Sequence, residues 1–173
     1  EDIIMGCGNP EGAQGHNVGR NAAVLSNLPI TTGGTTINRY CSSGMQSISM
    51  AASQIMAGCY DTVIAGGAET ISMMQGKQNM DNFVNERLAE KSPGIYYPMG
   101  MTAEVVAKRY NVSREAQDEY AFESQMRTAA AQQAGAYDDE IIPMETKMLL
   151  MNKETGDSKE IDYCVEKDEC NRP

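Results

Sequence analysis

Cys41 is the residue whose surroundings most clearly predict chemistry. It follows the β-branched and aromatic run of residues 35–40 and precedes Ser42-Ser43-Gly44 and a long run of small and medium-sized residues that reaches Gly58. This pattern predicts a strand, a sharp turn and a helix, with Cys41 at the helix N-terminus. The unpaired N–H groups and positive dipole end of a helix favour a thiolate, and such a turn can present the Cys41 amide to an oxyanion. We therefore predict that Cys41 is a nucleophile, the alternative being a small inert core residue.

A nucleophilic cysteine also needs a base that collects and returns protons. The only histidine, His16, lies in a loop rich in Gly and Asn, and we expect that the base is a histidine outside this sequence rather than His16. The five cysteines form no Cys-x-x-Cys pair, so with a single histidine they predict no metal site. No P-loop or dinucleotide fingerprint is complete, and nucleotide hydrolysis is not expected.

The hydrophobic pattern around this cysteine is typical of an α/β layer. Short apolar strands are predicted at residues 3–8 and 62–69, and helices at residues 17–27 and 41–58. The second strand has the composition of one buried on both faces of a parallel sheet, and the second helix carries apolar residues that predict burial on several sides. Strands that alternate with helices predict an α/β fold with a parallel sheet.

The second half of the chain has a different character. Residues 72–98 show little periodicity, which predicts a long excursion from the core or a loop that contacts another subunit. Helices are predicted at residues 102–110 and from the N-cap Ser113 to about residue 133. A short strand broken by proline is predicted at residues 141–144, and a turn at residues 155–157.

Composition and charge exclude several kinds of partner. The chain has 173 residues and a net charge of −10, and residues 138–173 hold eleven acidic and five basic residues. An acidic chain without a basic stripe is a poor candidate for nucleic acid or anionic membrane. No segment is apolar enough for a membrane span. The odd, scattered cysteines predict a reducing compartment, the cytoplasm, or the mitochondrial or peroxisomal matrix in a eukaryote.

Four motifs, in order along the chain, resemble those of the thiolase family, the acyl-CoA C-acyltransferases. The family's nucleophile motif is matched by Asn38-Arg39-Tyr40-Cys41-Ser42-Ser43-Gly44-Met45-Gln46, and its Gly-Gly-x-Glu strand by Gly66-Gly67-Ala68-Glu69. Its Met-Gly-x-Thr-Ala-Glu motif is matched by Met99-Gly100-Met101-Thr102-Ala103-Glu104, and its Ser-Arg-x-x-Gln-Asp helix start by Ser113-Arg114-Glu115-Ala116-Gln117-Asp118.

The resemblance implies a layered α/β/α fold of two similar halves with a loop domain inserted in the first half. Residues 1–72 would then be the N-terminal thiolase-like α/β domain without its opening strand, and residues 73–173 an incomplete loop domain. The C-terminal half, with the family's Asn-Glu-x-Phe, Gly-His-Pro and Cys-x-Gly segments, would be absent. We therefore expect that residues 1–173 alone do not turn over, although the parent protein does.

The resemblance also implies the chemistry. Cys41 would take an acyl group from an acyl-CoA or a 3-ketoacyl-CoA and pass it to coenzyme A or to the carbanion of acetyl-CoA. Coenzyme A and acyl-CoA would be substrates, with no permanently bound cofactor, and the protein would be a homodimer or homotetramer. Met99 would line the pantetheine channel and Arg172 would contact the nucleotide end of coenzyme A. The alternatives are a gap-filling core methionine and a solvated surface arginine.

Two alternative functions remain open in the sequence. A ketosynthase-type condensing enzyme shares the fold and the cysteine at the helix start, although the loop domain and the Met-Gly-x-Thr-Ala-Glu motif favour a thiolase. A truncated, inactive thiolase that serves as a binding subunit is the second. Pro98 stands where some short-chain thiolases carry a histidine, which questions the contacts specific to an acetoacetyl substrate.

Overall fold

The computed structural model describes residues 1–172. The chain divides into two compact units, Glu1–Asn85 and the residues from Glu86 onward. Each unit is described by itself below. The predicted domain boundary at residue 72 concerns the domains of the family fold and stays a prediction.

A parallel sheet forms the centre of the first unit. Its strands β1 (Asp2–Gly6), β2 (Thr35–Ile37) and β3 (Val63–Gly67) are ordered β2-β1-β3, with Ile4 paired to Thr35 on one side and to Ala65 on the other. Successive residues of a strand point to opposite faces, and the neighbours Ile3 and Ile4 are only 4% and 1% exposed. Both faces of β1 are therefore covered, and the predicted α/β fold with a parallel sheet is confirmed.

Two helices connect these strands. Helix α1 (Val18–Leu25) is capped by Asn17, whose Oδ1 accepts the Arg20 N–H at 3.0 Å. Helix α2 (Ser43–Met56) follows β2, and both helices contact the sheet. The crossover from β1 to β2 and the crossover from β2 to β3 run in opposite directions across the sheet, so right-handed connections place α1 and α2 on opposite faces. A short 3-10 helix, Gly12–Gln14, precedes α1, and helix α3 (Ile71–Met74) follows β3.

Two burial expectations are not met within residues 1–172. Helix α2 buries the single stripe Ser43, Ser47 and Ala51, whereas Met45 and Ile48 are 76% and 58% exposed. The buried side is the one whose small side chains permit a close approach to the sheet. The prediction that β3 is buried on both faces is also wrong for the described residues, because β3 is an edge strand there and none of its residues is fully buried.

The second unit contains three helices and a β-hairpin. The helices are α4 (Glu86–Lys91), α5 (Met99–Tyr110) and α6 (Arg114–Gln133). As predicted, Ser113 caps α6, because its Oγ accepts the Ala116 N–H at 3.2 Å. Hydrogen bonds to its own backbone amide and to Ser113 lower the pKa of Glu115 in the first turn of this helix. The antiparallel strands β4 (Met144–Met151) and β5 (Ser158–Val165) flank a turn that includes residues 155–157.

Several predicted boundaries in this unit are corrected. The strand predicted at residues 141–144 is wrong, since β4 begins only at Met144. Pro143 lacks an N–H for a ladder, and the Ile141 N–H donates instead to the Tyr137 carbonyl at 3.1 Å. Helix α5 begins three residues earlier than predicted, directly after Pro98. No helix within residues 1–172 is long and apolar enough to cross a membrane.

Candidate active site

Cys41 lies in the turn between β2 and α2, and its side chain is exposed. Tyr40, directly before it, has a left-handed backbone with φ of 48°, a conformation that non-glycine residues adopt only where contacts hold it. The Ser43 hydroxyl accepts the Arg39 N–H at 2.8 Å and donates to the Tyr40 carbonyl at 2.5 Å. Asn38 Oδ1 also accepts the Tyr40 N–H at 2.8 Å. The turn is thus tied to the helix start on both sides of the cysteine.

The start of α2 is open to an anion. Its N-cap residue, Ser42, makes no side-chain capping bond and donates instead to the Arg39 carbonyl at 3.0 Å. The Ser43 N–H donates to the Tyr40 carbonyl, so the Gly44 and Met45 amides are the donors that a side-chain cap would otherwise satisfy. Such amides and the positive helix end stabilise a thiolate or an oxyanion placed beside them.

Close backbone contact fixes the helix start against the sheet. A Cβ at Gly6 would overlap the backbone of Ser43 and Gly44, and a Cβ at Gly67 would lie 3.3 Å from the Gly44 Cα. The Ser47 hydroxyl lies 2.7 Å from the carbonyl oxygens of both Gly44 and Gly66. Glycine at these positions therefore sets the distance between the sheet and the turn that carries the cysteine.

The cysteine opens into a cleft of about 450 Å³. Three segments line the cleft: the residues after β1, the cysteine turn and the residues after β3. The lining residues are Gly6, Gly8, Asn9, Tyr40, Cys41, Ser43, Gly44, Gly67, Ala68, Glu69 and Ile71. The cleft thus lies at the carboxyl ends of parallel strands, where open α/β sheets bind their ligands.

Of the described residues that line the cleft, Glu69 alone is charged, and no role was predicted for it. Its Oε2 accepts the Gly8 N–H at 2.6 Å and its Oε1 accepts from Gln14 Nε2 at 2.7 Å. The Cys7 thiol, which is buried, contacts Oε1 at 3.9 Å. The signal in the sequence is the Gly-Gly-Ala-Glu strand end, but its partners lie at least 55 residues away along the chain.

The other predicted site residues lie elsewhere. His16 is exposed and is not among the lining residues of the cleft. Met99 begins α5 and is 72% exposed, and Arg172 is exposed, with its amide donating to Gln125 Oε1 on α6 at 2.6 Å. Met99 and Arg172 both belong to the second unit and are described within it alone.

The second unit also contains a larger cavity, of about 650 Å³, that lacks Met99 and Arg172 among its lining residues. Its charged lining residues are Asp138, Glu166, Lys167, Asp168 and Glu169. This mainly acidic lining does not suit the anionic phosphates of coenzyme A.

The family model of the thiolase N-terminal domain matches residues 1–172. The chain belongs to the thiolase family. It is 48% identical over 156 residues to the 3-ketoacyl-CoA thiolase of Bacillus subtilis (strain 168), covering 89% of this chain and 39% of that protein. It is 39% identical over 167 residues to the peroxisomal 3-ketoacyl-CoA thiolase 2 of Arabidopsis thaliana, covering 95% of this chain and 35% of that protein.

A solved structure shows the same fold. The crystal structure of the Bacillus anthracis acetyl-CoA acetyltransferase matches with a TM-score of 0.73 and 32% identity, over 99% of this chain and 43% of that chain. This thiolase chain thus spans about two fifths of the relatives it matches. The resemblance seen in the sequence and the predicted fold are confirmed. The roles of Cys41, Met99 and Arg172 stay predictions.

Proposed function

We propose that this protein is an acyl-CoA C-acyltransferase that carries acyl groups on Cys41. The observation that carries the proposal is the exposed Cys41 at the uncapped N-terminus of α2, in a cleft at the carboxyl ends of a parallel sheet. A thioester carbonyl that enters the cleft can meet the sulfur and the helix-start amides together. Membership of the thiolase family, and relatives named as thiolases, support the same reaction.

The reaction proceeds in two transfers. The Cys41 thiolate attacks the carbonyl carbon of an acyl-CoA or 3-ketoacyl-CoA, the new S–C bond forms, and the amides of the turn hold the oxyanion. The bond from that carbon to the leaving group then breaks, and the leaving coenzyme A thiolate or acetyl-CoA carbanion takes up the proton that the Cys41 thiol gave up to the base. In the second transfer, the coenzyme A thiolate or the acetyl-CoA carbanion attacks the acyl carbon, the S–C bond to Cys41 breaks, and the Cys41 sulfur leaves as a thiolate. Thiolysis and Claisen condensation are the two directions of this one reaction.

Acyl labelling of Cys41 tests this function. Incubation of the protein at its natural length with acetyl-CoA, followed by digestion and mass spectrometry, should show an acetyl group on the Cys41 peptide. Cys41→Ala should abolish the label, whereas Cys59→Ala, a matched change at another exposed cysteine, should leave it unchanged. An acetyl group on a different cysteine, or none on the wild-type protein, would contradict the assignment.

We also propose that Met99 and Arg172 contact coenzyme A, which is a substrate rather than a resident cofactor. Both side chains are exposed, which supports this proposal because each can contact a ligand without displacing core residues. Arginine is suited to phosphate through charge-assisted hydrogen bonds. Arg172→Ala should raise the Michaelis constant for acyl-CoA about tenfold with kcat nearly unchanged. An unchanged Michaelis constant would remove Arg172 from this contact.

The proposed setting is fatty acid metabolism in a reducing compartment, the cytoplasm, or the mitochondrial or peroxisomal matrix in a eukaryote. The odd number of scattered cysteines supports this setting. A structural disulfide found in the purified protein would contradict it. We further propose that the protein works as a homodimer or homotetramer.

A further inference from the structure

We propose that Glu69 is a positioning residue that holds the Cys41 turn in the geometry required for acylation. The proposal rests on the proposed function of Cys41. Glu69 contacts Gly8, which lies beside the turn, rather than the reacting atoms. The carboxylate lies at the cleft, where the segments after β1 and β3 meet the cysteine turn.

Glu69 accepts hydrogen bonds from the loop that follows β1. Glu69 is exposed at the cleft, yet both of its carboxylate oxygens accept hydrogen bonds, one from the Gly8 amide and one from Gln14. Hydrogen bonds to a charged acceptor are stronger than neutral ones. The carboxylate therefore joins the end of β3 to the loop that follows β1.

Gly8 also lies beside the cysteine turn. A Cβ at Gly8 would lie 2.9 Å from Glu69 Oε2 and 3.4 Å from the Tyr40 carbonyl oxygen. A side chain at Gly8 would thus meet both the carboxylate and the residue that precedes Cys41, so Gly8 lies beside the two. The same Tyr40 carbonyl accepts the Ser43 N–H at 3.0 Å and the Ser43 hydroxyl at 2.5 Å. Displacement of Gly8 would therefore disturb the carbonyl that organises both the turn and the helix start.

Gln14 supports the Glu69 carboxylate. Gln14 is 5% exposed, and its Nε2 donates to the Asn9 carbonyl at 2.9 Å as well as to Glu69. Its Oε1 accepts the Thr70 N–H, so a single buried side chain uses both ends of its amide. Gln14 thereby fixes the position of Glu69 from the loop and from the residue that follows it in the chain.

These contacts require a carboxylate rather than an amide. In Glu69→Gln, one of the two oxygens becomes an NH2 group, which then faces either the Gly8 N–H or the Gln14 NH2. Two donors that face each other leave both without an acceptor. Gln14→Glu in the same protein would place an acceptor opposite the new NH2 while it keeps an acceptor for Thr70. The bond to Asn9 is lost in this double variant, so its rescue should be partial.

The experiment compares Glu69→Gln, Glu69→Gln/Gln14→Glu and the wild-type protein at its natural length. Glu69→Gln should lower kcat for acyl transfer about tenfold or more, with the Michaelis constant for acyl-CoA nearly unchanged. It should also speed amide hydrogen exchange in peptides that cover residues 6–14 and 39–43. The double variant should recover part of both effects. Glu11→Gln is the matched control, because Glu11 is exposed in the same loop and does not line the cleft.

The outcomes separate this proposal from the proposed function. Failure of the wild-type protein to acylate Cys41 would overturn the function, while hydrogen exchange would still test whether Glu69 holds the turn. Unchanged kcat or unchanged exchange at residues 39–43 in Glu69→Gln would overturn the positioning role. An equal loss in the double variant would also overturn it, since the loss would then not depend on the donor and acceptor pattern.

Discussion

Two cysteines of the first unit have the same side chain and opposite surroundings. Cys7 is 1% exposed behind the cleft, whereas Cys41 is exposed in it. Burial is the main cause that raises the pKa of the Cys7 thiol, and the neighbouring Glu69 carboxylate raises it further. Cys7 therefore stays a neutral thiol at physiological pH and serves as a small apolar residue.

Alkylation with iodoacetamide tests this difference. At pH 7.5 the Cys41 peptide should be modified at least about ten times faster than the Cys7 peptide, because a raised pKa and burial both reduce the reactive thiolate at Cys7. A thiolate forms only as the pH rises through the pKa, so modification of Cys7 should increase with pH later than that of an exposed thiol. Protein unfolded in urea is the control, and there the difference should disappear. Equal rates in the folded protein would show that Cys7 is accessible.

At the level of single residues, the sequence shows what is encoded locally. The position of Cys41 between a strand and a helix follows from residues 35–58, which are contiguous, so the turn could be predicted. The hydrogen bonds of Glu69 could not be predicted, because its partners Gly8 and Gln14 lie 61 and 55 residues away. The alternative that Cys41 is a buried core residue does not hold, because Cys41 is exposed. Local sequence cannot decide this, since burial depends on what packs across the turn.

The packing of β1 against α2 is the element-scale feature on which the site depends. Gly6, at the end of β1, leaves the space that the backbone of Ser43 and Gly44 occupies. Ser47 joins α2 to β3 through its contact with the Gly66 carbonyl. A helix that begins this close to two strands cannot move without moving the cysteine turn before it.

Gly6→Ala should therefore impair stability and activity together. The added Cβ overlaps backbone rather than a flexible side chain, so we expect a loss of about 1–3 kcal/mol in the free energy of unfolding. Acetylation of Cys41 should slow in the same variant. Chemical denaturation midpoints and the labelling rate measure the two effects.

Gly100→Ala is the matched control for this change. Gly100 lies in α5, and a Cβ there would meet nothing within 4 Å. Alanine is the better helix former by about 0.5–1 kcal/mol, so this variant should be as stable as the wild type or slightly more stable. A Gly6→Ala protein with the midpoint of the wild type would show that the helix start can shift freely.

Element types were easier to predict than burial. The parallel strands and α6 with its Ser113 cap follow from local patterns, and they are present. The strand predicted at residues 141–144 failed because the apolar pair before Pro143 belongs to a loop whose amide bonds back to Tyr137. The predicted burial of α2 on several sides failed within residues 1–172 because apolar spacing specifies a face but not the element that covers it.

At the scale of the whole molecule, the stretch from residue 72 to 98 is the predicted place of a subunit contact. Apart from α4 and the end of α3 it has no regular structure, and several of its large apolar side chains are exposed. Those that belong to the first unit are Met73, Met80, Phe83 and Val84. A concentration of exposed apolar residues is typical of a surface that another protein covers. This agrees with the proposed homodimer or homotetramer, in which a second copy would cover the stretch.

Tryptic cleavage after Lys77 tests that assembly. Lys77 is exposed within this stretch, so it should be cut quickly in a dissociated subunit and slowly where a second copy covers it. Dilution of the protein should therefore speed cleavage at Lys77, because dissociation follows mass action. Lys153, exposed in the turn between β4 and β5, is the control within the same molecule, and its cleavage should not depend on concentration.

Met80→Glu should place a charge in the covered surface, which makes Lys77 cleavage fast at every concentration and lowers the mass measured by light scattering. Cleavage at Lys77 that is fast and independent of concentration in the wild-type protein would show that residues 72–98 face solvent, and the subunit contact would then have to lie elsewhere.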